Sequence, residues 1–297
     1  MKLKKILGLG LVSVAAFGLV ACGSSSSDAS SEDTNTLKVG IITLDETSEP
    51  VWDKVSELAE EEGVTLDLVE FADYTQLNSA LDNGELDVNA FQHYNFLNNW
   101  NEENSADLVA AGETYLSPIS LYSGLDSDGN ALYTDVEDIE EGSTITIPND
   151  ATNGSRALYV LQSAGLIELG VEDGADATVN DITANPKNIE ILEVDAAQTA
   201  ANLTSVAASV INNDYVVSAG VSRDTILFTE EVNAASEQWI NIIAAQSDWE
   251  ESDKADAIKT LVASYQTDEV AQITYEASDG ATFGAWEGAP DVSTFAE

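Results

Sequence analysis

Residues 37–44 read Leu-Lys-Val-Gly-Ile-Ile-Thr-Leu, an apolar run that predicts a buried β-strand. After this strand, segments with the apolar spacing of a helix alternate with segments that predict strands. Helices are predicted over 51–62, over 75–83 and through Leu97 and Trp100, and strands over 65–71 and 86–91. This βαβαβ order predicts a parallel sheet with helices on both of its faces.

A second alternating series begins at Ser143. It predicts strands over 143–148, 189–194, 208–211 and 239–245, and helices over 152–164, 253–265 and 268–277. Two such units predict an α/β fold of two lobes, with mixed or parallel sheets, a hinge and a cleft between the lobes. Ligands of open α/β sheets bind in such a cleft, at the carboxyl ends of the strands.

The lobe boundaries depend on where the chain crosses between the two units. The predicted crossing strands are 118–122 and 239–244. Lobe 1 is therefore expected to take residues 37–120 and 240–297, and lobe 2 residues 121–239. A length of roughly 260 residues after the N-terminal segment is large for one core and sufficient for two.

The N-terminus has the layout of a secretory signal peptide over residues 1–21. A lysine-rich start precedes an uncharged apolar stretch, Ile6 to Val20, which is shorter than the roughly 20 residues of a transmembrane helix. Leu19-Val20-Ala21-Cys22 resembles a bacterial lipobox, which predicts lipidation of Cys22; an ordinary signal peptide with an incidental cysteine is the alternative. The Gly/Ser/acidic residues that follow, up to residue 36, predict a flexible tether. We expect a lipid-anchored protein on the extracytoplasmic face of the cell membrane.

The composition excludes several classes of partner. The chain has 10 Lys and Arg against 54 Asp and Glu, a net charge of -44. Nucleic acid requires a basic surface, and charge-driven docking onto anionic lipid headgroups does too. Asp126, Asp128, Asn130 and Glu137 have part of an EF-hand spacing, but the glycine is at position 4 and not at position 6. A surface turn is favoured there, and no metal or cofactor is predicted.

Signatures of catalysis are missing from the sequence. It has no Gly-x-Ser-x-Gly elbow, Walker loop or His-Glu-x-x-His motif, and it has a single histidine and a single cysteine. Paired carboxylates are expected by chance among so many acids. We predict a binding protein that is not an enzyme, with a carboxylate hydrolase and a surface interaction lipoprotein as the alternatives.

Two scarce residues mark a candidate site. Arg156 is one of two arginines and follows the predicted strand end in Pro148-Asn149-Asp150-Ala151-Thr152-Asn153-Gly154-Ser155-Arg156. A helix N-terminus with an arginine suits an anionic group, but the same residues fit helix capping with Arg156 paired to a nearby acid. His93, the only histidine, stands at the end of a predicted strand and fits either a ligand contact or a satisfied strand-end side chain.

Several ordered motifs resemble the methionine-binding lipoprotein family of the NlpA/MetQ type. They are Phe91-Gln92-His93, the Pro148–Arg156 segment, Asn185-Pro186-Lys187-Asn188, Ile211-Asn212-x-x-Tyr215, an early Tyr74 and the late segment from Tyr265 to Val270. The resemblance extends from about Leu37 to Trp286. It implies a two-lobed periplasmic-binding-protein fold of type II that serves an ABC importer, a membrane permease with its ATPase.

The resemblance also implies the ligand contacts. Arg156 and Asn153 would bind the carboxylate of methionine, Asn212 and Asn241 its amino and carboxylate groups, and Tyr74, Phe91 and His93 its side chain. Aromatic rings suit a thioether sulfur.

The sequence departs from the family pattern on the side-chain half of the site. Phe96 stands where the family usually has a tyrosine, and Tyr115 and Ser117 stand where an aromatic pair is expected near Pro118. Another apolar amino acid and a methionine-containing dipeptide therefore stay open as ligands.

Overall fold

The computed structural model describes residues 34–172 and 174–295. The predicted signal peptide, Cys22 and the tether up to residue 33 lie outside this part of the chain. Within it, no helix is long and apolar enough to cross a membrane. The described residues confirm the predicted α/β fold, which contains two five-stranded sheets.

The first sheet combines the N-terminal βαβαβ unit with one strand from late in the chain. Its strands are β1 (Thr36–Ile42), β2 (Thr65–Phe71), β3 (Val88–His93), β4 (Val109–Glu113) and β13 (Asn241–Ala245), and the helices between them are α1 (Glu49–Glu61), α2 (Leu77–Asp82) and α3 (Tyr94–Asn104). The strand order is β2-β1-β3-β13-β4. β1 is parallel to β2 and β3, as predicted, and β13 is antiparallel to both of its neighbours.

The second sheet is built from the middle of the chain. Its strands are β6 (Ser120–Ser123), β7 (Thr144–Pro148), β10 (Glu190–Val194), β11 (Ala208–Ile211) and β12 (Ile226–Thr229), and helix α4 (Ala151–Ser163) follows β7. The strand order is β10-β7-β11-β6-β12. β7 is parallel to β10 and β11, and β6 is antiparallel to β11 and β12.

Short pairings and two C-terminal helices complete the described chain. β5 (Tyr115–Leu116) pairs with β14 (Phe283–Gly284), β8 (Glu168–Leu169) pairs with β9 (Ile182–Ala184), and the helices are α5 (Ala255–Tyr265) and α6 (Asp268–Ala277). The sequence pattern predicts none of these four strands, nor β4 and β12. β4 reads Val-Ala-Ala-Gly-Glu, and a Cβ on Gly112 would lie 2.5 Å from Cγ1 of Val262, so close packing of α5 requires a residue of low strand propensity.

Each sheet has its own apolar core. Val39, Val55 and Leu261 are fully buried between the first sheet and its helices, whereas Ile145 and Leu158 are fully buried between the second sheet and α4. In α1, the buried residues Val51, Val55 and Ala59 recur at the helical spacing that the sequence predicts.

The chain passes between the two sheets at residues 117–119 and 230–240. β6 lies in the second sheet and β13 in the first, and each of the predicted crossing strands, 118–122 and 239–244, overlaps one of these connections. The strand predicted over 239–245 begins later because a 3-10 helix, Ala234–Trp239, precedes it. The third predicted strand ends later, at His93, and this places the histidine at the junction with α3. The division into lobes at these two segments stays a prediction.

Leu158 is expected to be essential for the stability of the second core. Leu158→Ala deletes a fully buried side chain and should lower the free energy of unfolding by about 2–5 kcal/mol. Leu192→Ala is the matched control, because Leu192 is 43% exposed and should change stability by about 0.5 kcal/mol or less. Urea unfolding followed by circular dichroism measures both, and equal losses would contradict this assignment of the core.

Candidate ligand-binding site

The seven side chains predicted to contact the ligand line one cavity. They are Tyr74, Phe91, His93, Asn153, Arg156, Asn212 and Asn241. Tyr74 follows β2, Phe91 and His93 end β3, and Asn212 follows β11. The cavity therefore lies at the carboxyl ends of strands from both sheets, where ligands bind in α/β folds.

The start of α4 is fixed by its N-cap. Asp150 Oδ1 accepts hydrogen bonds from the backbone N–H of Asn153 (2.8 Å) and from Thr152 Oγ1 (3.1 Å), and Asn153 Nδ2 donates to the same carboxylate (3.0 Å). Burial raises the pKa of Asp150, and these bonds to the ionised form oppose that rise. The capping interpretation is therefore correct for Asp150, and it orients Asn153 with its Oδ1 towards the cavity.

Arg156 is almost fully buried and already has a counter-charge. Its Nε donates to Glu230 Oε2 at 3.0 Å, and its Nη2 donates to Glu230 Oε1 and to the backbone oxygen of Ser117. The ring of Trp239 lies 4.8 Å from the guanidinium carbon. Arg156 thus forms the ion pair that the capping interpretation expects and also lines the cavity, while its binding of an anionic ligand stays a prediction.

The ion pair changes how Arg156 can bind an anion. The two-pronged edge formed by Nε and Nη2 faces Glu230 and is not free for a ligand. Nη1 makes no hydrogen bond to the described residues, so its two hydrogens remain as donors. Arg156 is also the one Lys or Arg among the described residues that line this cavity.

His93 joins α3 to the cavity. Its Nδ1 accepts the backbone N–H of Phe96 at 3.1 Å, which caps α3 and places the ring proton on Nε2. Nε2 lies 3.4 Å from Asn153 Oδ1. Burial, with a smaller contribution from the charge of Arg156, lowers the pKa of His93 to about 3, so the ring is neutral at physiological pH.

Two asparagine amides line the same cavity as Arg156. Asn212 Nδ2 donates to Asn153 Oδ1 at 2.8 Å, whereas Asn212 Oδ1 is buried and has no hydrogen-bond partner among the described residues. Asn241 is 8% exposed and opens β13 next to His93, its antiparallel partner. A buried acceptor without a partner costs about 1–3 kcal/mol, so Asn212 is suited to an N–H donor from a ligand.

Aromatic rings form the other end of the cavity. Tyr74, Phe91 and Phe96 lie with ring centroids 5.6 to 6.0 Å apart, in tilted and edge-on arrangements. Phe96, the departure from the family pattern, is thus part of the same enclosure. The hydroxyl of Tyr74 donates to Asp214 Oδ2 at 2.7 Å.

Sequence reasoning missed three residues of this site. Asp214 lies two positions after Asn212, within the Ile211–Tyr215 motif, and this adjacency is its only signal in the sequence. The sequence pattern places Trp239 in a strand. Glu230 had no signal in the sequence, because it is one of 54 acids and meets Arg156 only in the folded chain.

A family model described as NlpA lipoprotein matches residues 37–286, most of the chain. The chain belongs to the NlpA lipoprotein family. This confirms the resemblance found in the sequence, and with it the prediction of a binding lipoprotein that is not an enzyme.

Two solved structures and a curated lipoprotein are similar to this chain. The substrate-binding protein of a methionine transporter from Streptococcus pneumoniae is 52% identical, with 85% of this chain and 96% of that chain covered and a TM-score of 0.82. A nutrient-binding protein from Burkholderia cenocepacia, solved bound to methionine, is 34% identical over 84% of this chain and 100% of that one, with a TM-score of 0.75. The D-methionine-binding lipoprotein MetQ of Escherichia coli is 32% identical over 96% of this chain and 99% of its own length.

The Arg156–Glu230 pair is expected to stabilise this NlpA-family fold only as a pair. Arg156→Leu leaves Glu230, whose side chain is 18% exposed, without its counter-charge, and should cost about 3–5 kcal/mol of unfolding free energy. The double variant Arg156→Leu/Glu230→Leu should recover most of that loss, because no unpaired charge remains. Urea unfolding of the single and double variants measures the coupling, and a double variant less stable than Arg156→Leu would contradict it.

Proposed function

We propose that this protein is a lipid-anchored, extracytoplasmic lipoprotein that captures methionine and delivers it to an ABC permease with its ATPase. The observation that carries the proposal is the single cavity that combines an anion-binding corner with an aromatic enclosure. The names of the relatives support it, since they are methionine-binding proteins and one was solved with methionine bound.

In this proposal the polar half of the ligand binds at the Arg156 corner. The two Nη1 hydrogens of Arg156 donate to the carboxylate, while Glu230 and Trp239 hold the guanidinium in place from its other sides. The free Oδ1 of Asn212 accepts from the amino group, and Asn241 adds an amide beside it. Neutral His93 adds no second positive charge to the cavity.

The side chain of methionine fits the aromatic half. Tyr74, Phe91 and Phe96 offer ring edges and faces, and sulfur gains about 0.3–1.5 kcal/mol from such contacts. The Tyr74 hydroxyl is turned to Asp214, so the rings present mainly apolar surface. This surface disfavours charged side chains.

Capture would involve closure of the cleft and no chemical step. Residues 37–120 and 240–297 form one proposed lobe, and residues 121–239 form the other. Side chains from the two meet across the cavity, through Tyr74 with Asp214 and His93 with Asn153. A ligand that contacts both sides favours this closed arrangement.

Calorimetric titration of ligand-free protein tests the function. L- and D-methionine should bind, and at a hundredfold excess over Kd a ligand that binds only the native state adds about 2.7 kcal/mol of stability. Arg156→Lys keeps a charge for Glu230 but replaces the planar group, so it should bind methionine more weakly while remaining folded. A clear preference for leucine or another apolar amino acid over both enantiomers would contradict methionine as the ligand.

The anchor is tested separately, in cells. Cys22→Ser removes the sulfur that carries the lipid in the proposed mature protein, so the protein should move from the membrane fraction or stay unprocessed. Ser24→Ala is the matched control two residues later. Fractionation with mass spectrometry of the N-terminus measures both, and normal processing with unchanged membrane association in Cys22→Ser would rule out lipidation at this residue.

A further inference from the structure

Asp214 lies where the ligand cavity meets a second, adjoining cavity. Both cavities are lined by Phe91, Tyr115, Ser117, Asn213 and Asp214. Asp214 belongs to a short 3-10 turn, Asn213–Tyr215, that directly follows Asn212. Asp214 therefore lies on the wall that the two cavities share.

The Asp214 carboxylate accepts fewer hydrogen bonds than the carboxylate of Asp45, the other acid that lines the adjoining cavity. Asp214 Oδ2 accepts one hydrogen bond, from the Tyr74 hydroxyl, and the described residues donate no other to its side chain. In contrast, Asp45 Oδ1 on the far wall of the adjoining cavity accepts from the backbone and side chains of both Thr47 and Ser48. Asp45 is satisfied within its own turn, and Asp214 is not.

No positive side chain of the described protein compensates Asp214. The ion pairs among the described residues involve Lys54, Arg156 and Lys254. Of the Lys and Arg residues, Arg156 alone lines either cavity, and Glu230 already neutralises it. A partly buried carboxylate in this position attracts a cation from outside the chain.

We propose that the Asp214 carboxylate recognises the α-ammonium group of the amino acid whose carboxylate binds at Arg156. This inference rests on the proposed function and deepens it, because it makes a charged amino group, in addition to the carboxylate, a requirement for binding. A zwitterion then places each of its charges next to an opposite charge of the cavity. Asn212 and Asn241 complete the hydrogen bonds of the ammonium group.

The protonation of Asp214 makes this recognition depend on pH. The titratable groups facing it are Asp45 from the loop after β1, Tyr74 after β2, Tyr115 of β5, Tyr215 of its own turn and Tyr265 at the end of α5. Burial raises the pKa of Asp214 to about 6; the Tyr74 hydrogen bond opposes this rise and Asp45 adds to it. His93 stays neutral over the same range, since its pKa is about 3.

The sign of the pH effect follows from that value. About a tenth of a carboxyl group with a pKa near 6 is ionised at pH 5. Wild-type affinity for methionine should therefore fall roughly tenfold between pH 7 and pH 5, and Asp214→Asn should remove this dependence. The pKa of Asp214 is higher in the folded protein than in the unfolded chain. Ionisation of Asp214 therefore lowers the free energy of unfolding as pH rises from about 4 to about 6. Asp214→Asn should then be at least as stable as wild type at pH 7.

The experiment measures the affinity of two ligands for wild type, Asp214→Asn and Asp45→Asn, by calorimetry at pH 5 and pH 7. The ligands are methionine and 4-(methylthio)butanoate, which lacks the amino group. Asp214→Asn keeps an acceptor for the Tyr74 hydroxyl. It should weaken the binding of methionine by about 30-fold or more, with little effect on the binding of the des-amino analogue. Asp45→Asn is the matched control and should leave the binding of both ligands near that of wild type.

Three results would overturn the inference. One is an equal loss for both ligands in Asp214→Asn, and another is an unchanged pH dependence in that variant. A third is an equal effect of Asp45→Asn and Asp214→Asn on methionine. If wild type binds methionine normally in these cases, the proposed function stands without the inference. If wild type binds no methionine, the proposed function fails and the inference fails with it.

Discussion

A guanidinium group that is 3% exposed requires a counter-charge, and Glu230 supplies it. The same carboxylate also accepts the backbone N–H of Ile119, and the backbone N–H of Glu230 donates to the oxygen of Ile119. Glu230 therefore connects helix α4 to both segments of chain that pass between the sheets. One ion pair thus holds both Arg156, the proposed ligand contact, and these two segments, so a displacement of one alters the position of the other.

The charge inside the ligand cavity differs from the net charge of the whole chain. The chain has a net charge of -44, and a free anion approaching it is repelled at low salt. A zwitterion has no net charge and avoids this repulsion. Within the cavity, Arg156 paired with Glu230 and the uncompensated Asp214 present local charges of both signs at short range. The composition thus favours neutral ligands at long range, and in the proposed function the local charges of the cavity select among them.

The sequence predicts the regular elements better than the irregular ones. β1, β2, α4 and α6 were predicted within about two residues, because glycine stops and apolar periodicity are local signals. β4, β12 and the antiparallel placement of β13 depend on partners far along the chain, and β4 packs through Gly112, a residue that argues against a strand. The transition from the 3-10 helix at Trp239 into β13 has no local signal either.

The candidate site shows the same division between local and distant information. Family motifs led to seven side chains that the fold brings to one cavity, although their roles stay proposals. Glu230 and Trp239 complete the surroundings of Arg156 from 74 and 83 positions away. The sequence does not single out Glu230, because it is one of 54 acidic residues. Asp214 is not singled out for the same reason, and only the folded structure shows that it has no cationic partner among the described residues.

Trp239 has a consequence for how this protein can be observed. Its indole lies in a segment that joins the two sheets, against Arg156 of α4 on one side and 4.8 Å from the ring of His93 at the end of β3 on the other. Trp286, by comparison, is buried in the first core. In the closure proposed above, a rotation of one sheet against the other would change the dielectric surroundings of Trp239 more than those of Trp286. Trp239 is therefore the intrinsic fluorophore that we expect to report the proposed closure.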